Sequence, residues 1–366
     1  MELIEGFDYI PSGTAAQALF TTAGSKWDGV YGSGGSFSGL SGASVVPYAD
    51  AYSGSSLLMT ARGLRKNIIP TNRTQVVFSF RYIGFTGSLS VTNTMFRSFN
   101  SDGLQVSVFL NADPVTGNAY VTATNSAGTV IFTSASTGPY PFVLNADTFY
   151  RIGLDVLYAE SSGSLTIYVI NLVTGVQFST TFAGINTIVT TNNQMTSLVF
   201  GPDGTFTNSA YANYYYDDLV IVNGDPEGMA PALDDRVFTL LPDADVSNSG
   251  WALSSGSQIY PLINETSTSF TNNVQAAASG SRFLENFTPF GATSIAAVAA
   301  TAAIEAGQGG TVVAVSGSAT VSGPAFTAGA GTGARYQGAV MTLDPNTGFA
   351  WTSAAVTAAA AGVKVT

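Results

Sequence analysis

A chain of 366 residues has room for about two domains of roughly 100–200 residues, each large enough to bury a core without covalent staples. Charged residues make up only 10% and the formal net charge is −11, with 12 Lys and Arg in all, which argues against nucleic acid or an anionic membrane as partner. Cysteine and histidine are both absent. That excludes disulfides, thiolate chemistry, the Ser-His nucleophile pair and the commonest zinc ligand together. What remains, rich in Gly, Ser, Thr, Ala and Asn with a positive mean hydropathy, suits β-sandwiches with uncharged polar faces and many turns. Met1 to Gly6 has acidic flanks and no apolar h-region, so the chain is expected to be made in the cytoplasm without a classical export route.

In chain order, Ile4 to Tyr9 opens as a short strand stopped by Pro11-Ser12-Gly13, and Ser55 to Thr60 is a further strand. The basic trio Arg62, Arg65 and Lys66 reads as a solvated loop. Gln75–Tyr82 alternates for half its length. Leu104–Leu110 alternates apolar with polar, as a sheet with one wet face does. A turn at Asp113 to Asn118 leads into Ala119–Thr124, and Asn125 to Gly128 turns into Thr129–Thr133, which together read as a meander. Phe149–Leu157 places Tyr150, Ile152, Leu154 and Val156 on one face. Leu165–Ile170, Val176–Thr181 and Thr196–Phe200 follow, and Tyr214 to Val222 closes the series before Asn223-Gly224-Asp225. No amphipathic helix is expected before residue 225.

This half resembles the concanavalin-like, laminin-G-type jelly roll. The likeness lies in Glu5-Gly6-Phe7-Asp8, in Tyr150-Arg151-Ile152-Gly153-Leu154-Asp155-Val156 and in Tyr216-Asp217-Asp218-Leu219-Val220. It implies that the first strand pairs with the last. It covers residues 1–225; residues 226–233, with Pro226, Gly228 and Pro231, read as a linker, and residues 234–366 as a second β domain.

That second domain opens with Arg236–Leu241. Ile295–Ala306 is ambiguous, since alanine favours helix. It is taken as a strand whose hairpin return is Thr311–Ser316 after Gln308-Gly309-Gly310. Asp344 to Gly348 is a turn. Thr352 or Ser353 then caps a short helix over Ala354–Ala361, closed by Gly362, and Val363–Val365 is a final strand. The run from Leu240 to Trp251, with the ending Asp344-Pro345-Asn346-Thr347-Gly348-Phe349-Ala350-Trp351-Thr352 and Gly362-Val363-Lys364-Val365, resembles tailed-phage virion proteins that join a concanavalin-like domain to a C-terminal β domain. The alanine-rich filling of 354–361 departs from the acidic and longer residues usual there.

The expected fold class is therefore all-β: a concanavalin-like jelly-roll sandwich followed by a second, smaller β-sandwich with one short C-terminal helix. Asp217 and Asp218 are candidate Ca²⁺ ligands, with Asp102, Asp113, Asp203 and Asp225 as further rim carboxylates; the alternative is a solvated edge pair. Asp243-Ala244-Asp245-Val246-Ser247 only half imitates a calcium loop. Tyr211, Tyr214 and Tyr216 are candidate glycan-stacking residues, or packing residues at strand period two. Glu160, Glu227, Glu265, Glu285 and Glu305 stand alone, so no paired carboxylates for glycoside hydrolysis are evident and no catalytic residue is expected. No cofactor is implied beyond a possible Ca²⁺. The expected function is structural: a tail, neck or head appendage of a phage particle, located in the virion. It would dock on other virion subunits and on copies of itself, a trimer being the first guess, and touch host-surface glycan. A capsid decoration protein without sugar affinity, and a lectin or glycosidase, are the alternatives.

Overall fold

The computed structural model describes residues 3–5, 27, 29–30, 43–47, 55–59, 62–82, 92–112, 118–134, 142–203, 214–223, 237, 240–263, 274–276, 278–287, 291–292, 295, 297–304, 309–327 and 334–366. Strands β1 (Leu3–Glu5), β2 (Gly29–Val30), β3 (Ala43–Pro47), β4 (Ser55–Met59) and β5 (Arg62–Thr71) come first. They are followed by β6 (Arg73–Tyr82), β7 (Thr92–Asn100), β8 (Gly103–Ala112), β9 (Ala119–Asn125) and β10 (Val130–Thr133). Next are β11 (Tyr150–Leu157), β12 (Gly163–Asn171), β13 (Gln177–Ile185), β14 (Met195–Asp203) and β15 (Tyr214–Asn223).

These strands form two antiparallel sheets. The first runs β13-β12-β11-β6-β15-β4-β3, with β1 also on β15; the second runs β10-β9-β8-β7-β14-β5-β2. The chain crosses between sheets at β1–β2, β2–β3, β4–β5, β5–β6, β6–β7, β10–β11, β13–β14 and β14–β15, so many neighbours in sequence face each other across the core, as in a jelly-roll sandwich. The first strand does pair with the last, Leu3 opposite Ile221 and Glu5 opposite Leu219. Phe7 and Asp8 lie outside the described residues. The meander β8-β9-β10 is present as three consecutive neighbours.

Alternation decides which side chains enter the core. On β11, Tyr150, Ile152, Leu154 and Val156 point inward opposite Phe80, Phe78, Val76 and Thr74 of β6. Phe78, Phe96 and Trp27 meet Phe200 edge-on, with ring centroids 6.0, 5.6 and 6.0 Å apart. Each such side chain removed from water stabilises the fold by roughly 1.5–3 kcal/mol. Four strands of this sandwich were not evident from sequence: the short β2 and β3, β5, which holds Arg62, Arg65 and Lys66 on a strand rather than a loop, and β7. The polar positions Gln105 and Ser107 of β8 are both buried, so the wet face expected there is covered.

The later residues form β16 (Pro242–Ser249), β17 (Trp251–Leu253), the single turn α1 (Tyr260–Ile263), β18 (Val274–Ala276), β19 (Arg282–Phe287) and β20 (Thr301–Ile304). Then come β21 (Gly309–Ser316), β22 (Ala319–Thr327), β23 (Ala334–Gln337), α2 (Ser353–Ala358) and β24 (Ala360–Val365). A five-stranded sheet runs β16-β19-β24-β21-β22, with the pairs β17-β18 and β20-β23 beside it. Its core of Ile259, Phe283, Val312, Phe326, Tyr336 and Val363 shares no member with the core of the first sandwich.

Three local expectations are corrected. Of the alanine-rich stretch, Thr301–Ile304 is a strand, but it pairs with Ala334–Gln337; β21 instead turns back into β22. The run Asp243 to Ser247 is part of β16, not a loop. The short helix is capped by Thr352, whose side chain accepts the Ala355 N–H, but it ends at Ala358 and Gly362 lies inside β24. Glycine is required there by close approach: a Cβ at 362 would stand 2.1 Å from the Phe283 carbonyl oxygen.

Candidate functional site

The closing strand β15 carries a bulge. Asp217 opposes Ser79, and the next paired residue, Val220, opposes Val77, so one extra residue is accommodated, with Asp218 at φ 47°. Asp218 Oδ2 accepts from Ser79 Oγ and from Arg151 Nη2, both at 3.0 Å, and Oδ1 accepts the Val237 N–H at 2.9 Å. Asp217 Oδ1 accepts the Asp218 N–H at 2.7 Å. A calcium ion needs six to eight oxygen ligands, and a guanidinium already neutralises this carboxylate. The counter-charge of Asp218 is Arg151, which is 1% exposed, so this carboxylate is already committed to an ion pair. Among the described residues no cluster of three or more acidic side chains has metal-binding geometry. Asp102 sits on an exposed turn beside Ser101, Asp203 ends β14, and Asp113 and Asp225 lie outside the described residues.

The tyrosines are also redistributed. Tyr214 and Tyr216 point inward, 0% and 2% exposed, and pack on Phe80 and Phe78 with centroids 5.4 and 5.5 Å apart. Tyr216 Oη donates to the Met95 carbonyl at 3.1 Å. Burial raises both phenols well above their ordinary range. Neither offers a face to a sugar, and Tyr211 lies outside the described residues. The residue between them, Tyr215, points outward and is half-buried, directly opposite Arg81. The Arg81 guanidinium lies 5.4 Å from the Tyr215 ring centre and 5.2 Å from that of Phe149, and pairs with Asp147.

The same outer face of the first sheet holds a second cluster. On β6, Arg73, Gln75, Val77, Ser79 and Arg81 alternate outward; on β11, Arg151, Gly153 and Asp155 do the same. Arg73 grips Asp155 with both prongs, Nε to Oδ1 at 2.9 Å and Nη2 to Oδ2 at 2.8 Å, and Gln75 Nε2 adds a bond to Oδ2 at 2.9 Å. Next to this network, on β12, stands Tyr168, half-buried and opposite Gly153 on one side and Ser179 on the other. Partial burial pushes its phenol up, with the Asp155 charge adding and the Arg73 charge opposing. Thr166 and Thr181 share a hydrogen bond at 3.0 Å, and Gln177, Ser179 and Thr181 of the edge strand β13 are exposed. Gln75, Val77, Ser79, Arg151 and Asp155 are all buried, so this face exposes parts of Arg73, Arg81, Tyr168 and Tyr215 and the uncharged Gln177, Ser179 and Thr181 of the edge strand. Tyr168 and Tyr215 lie three strands apart, roughly 14 Å at the usual strand spacing.

Chemically, this face is suited to holding a polar, uncharged ligand. Both of its paired carboxylates, Asp155 and Asp218, already accept from guanidinium groups. Sequence reading missed Arg73, Gln75, Asp155, Tyr168 and Tyr215 as a set; the signal was the outward half of strands already recognised. It also misjudged Glu285, which stands opposite Asp245 in the second body.

A chain with this fold and face belongs to the broad class of two-sheet jelly-roll proteins. No family model matches it, and no curated protein does. Solved structures similar to it include lectin II from Ulex europaeus, 9% identical over 49% of this chain and 86% of that one, at a TM-score of 0.30. The alginate lyase from Klebsiella pneumoniae is 9% identical over 50% of this chain and 82% of that one, at 0.33. Basic winged bean lectin with Tn-antigen is 10% identical over 48% and 88%, at 0.34. Identities and scores this low say nothing about ligand or chemistry.

Proposed function

We propose that the chain is a structural component of a tailed-phage particle, joined to its neighbours by β surfaces, whose jelly-roll domain contacts neutral glycan on the host surface through the outer face of its first sheet. The virion placement rests on the sequence likeness of the Leu240–Trp251 and Asp344–Thr352 runs. The glycan reading rests on one observation: the half-buried Tyr168 ring flanked by the partly exposed Arg73, which the buried Asp155 holds in place, and by the exposed Gln177, Ser179 and Thr181. An aromatic ring accepts the apolar side of a sugar, while fixed polar groups fit its hydroxyls. Neutral sugar is favoured over polyanionic glycan because the arginines are already paired and the chain carries a net charge of −11. The action is contact and adhesion, with no bond made or broken.

The test has two arms. Immunogold labelling with antibody to the purified chain should decorate the particle; particles without label contradict the virion placement. An array of neutral and acidic glycans should show binding to neutral members only, and a blank array contradicts the glycan reading. Self-association, with a trimer expected, is checked by sedimentation of the purified chain.

A further inference from the structure

The second body holds a buried titratable group outside the sheet face. Glu285 on β19 lies directly opposite Asp245 on β16, is 1% exposed, and neither of its carboxyl oxygens has a hydrogen-bond donor among the described residues. Asp245, by contrast, accepts from two backbone N–H groups. Ile259 N–H reaches its two oxygens at 3.0 and 2.8 Å, and Tyr260 N–H reaches Oδ1 at 2.8 Å. Those bonds start the single turn α1 and seat Ile259, which is fully buried in the core of the sheet. A second carboxylate facing the one that holds these N–H groups is repelled by it. One proton removes the conflict: a neutral Glu285 donates to Asp245, and the pair carries one negative charge.

Among the described residues the surrounding elements supply no cation on that side. β16 contributes Asp243 and Asp245, and β19 contributes Arg282 beside Glu285. β24 contributes Lys364, opposite Arg282; both lie an odd number of positions from the Glu285 pairing and so on the other face of the sheet. The helices α1 and α2 contain no charged residue.

We propose that Asp245 and Glu285 form a proton-sharing latch that holds the edge strand β16 on the five-stranded sheet and releases it when the shared proton is lost. Among the described strands β16 pairs with β19 alone, so it can leave the sheet without breaking a second ladder. It also follows closely on Val237, whose N–H is bound to Asp218 of the jelly roll. Release of the latch thus loosens the second body at its N-terminal strand, next to where the chain is fastened to the first.

Burial, together with the hydrogen bond and charge of Asp245, pushes the Glu285 carboxyl up from 4.5 to about 8. Between those values the folded chain holds one proton more than the unfolded chain. Stability from this pair is full below the lower value, falls as pH rises, and levels off above the upper one.

The full chain is unfolded in urea from about pH 5 to about pH 9, beside Glu285→Gln, whose amide donates to Asp245 and does not titrate. The ratio of the wild-type unfolding constant to that of the variant should rise about tenfold per pH unit up to about pH 8 and then flatten. Parallel pH profiles would overturn the latch. If the variant does not fold, infrared spectroscopy of the wild type decides: a protonated-carboxyl stretch should persist at neutral pH and vanish with a midpoint near 8. Absence of that band at neutral pH overturns the proposal.

Discussion

Replacing Arg151 by Met removes a guanidinium that is 1% exposed and leaves the buried Asp218 carboxylate with the Ser79 hydroxyl at 3.0 Å and the Val237 backbone N–H at 2.9 Å. Breaking a buried pair from one side costs about 3–5 kcal/mol, because the surviving charge stays out of water without its counter-charge. Asp218→Asn makes the converse break and keeps the backbone at ease, since asparagine tolerates the φ of 47° found there. The double variant carries no unpaired charge. It should recover at least about 1.5 kcal/mol relative to the sum of the two single losses. At roughly 2–4 °C per kcal/mol for a body of this size, each single change lowers the melting temperature of the jelly roll by about 6–20 °C. Calorimetry of the full chain, which separates the transitions of the two bodies, is the assay. Additivity within about 0.5 kcal/mol, or single losses below about 1 kcal/mol, would refute the assignment of Arg151 as the counter-charge of Asp218.

The same geometry bears on calcium: adding a chelator, or millimolar Ca²⁺, should leave the jelly-roll melting temperature unchanged, and a rise on adding Ca²⁺ would restore the Asp217–Asp218 metal reading. Gly362→Ala should lower only the transition of the second body, by about 1–3 kcal/mol or more, because the new Cβ meets the Phe283 carbonyl 2.1 Å away on a neighbouring strand. An unchanged second transition would mean that β19 and β24 are not packed so closely.

The first sandwich was largely legible because strands such as Tyr150–Leu157, and Gly103–Ala112 over its first half, alternate and are bounded by Gly, Asn and Ser turns. Strands β5 and β7 were not, since Arg62, Arg65, Lys66 and Pro70 in one and the polar Thr92-Asn93-Thr94 in the other hide the period. The tyrosine run shows the limit of periodicity. It fixes that Tyr214 and Tyr216 share a face and that Tyr215 takes the other, but not which face is the core. That choice came from the second sheet, whose Phe96 and Phe200 fill the space beneath β6 and β15. The site was hidden for a related reason. Asp155 lies 82 residues beyond Arg73 and 80 beyond Gln75 along the chain, and only the β6–β11 register puts it beside them. Gly362 was read as a helix stop because glycine so often serves as one. Its real cause, a neighbouring carbonyl, is a tertiary contact that no local pattern carries.

The most direct test of glycan contact through this sheet face is titration of the best array ligand into the full chain and into Tyr168→Ala, with folding checked by calorimetry. Loss of ring stacking and its buried area should weaken binding about tenfold or more while leaving both melting transitions in place. Equal affinity of the two proteins would contradict the assignment of the face, whatever else on the molecule binds sugar.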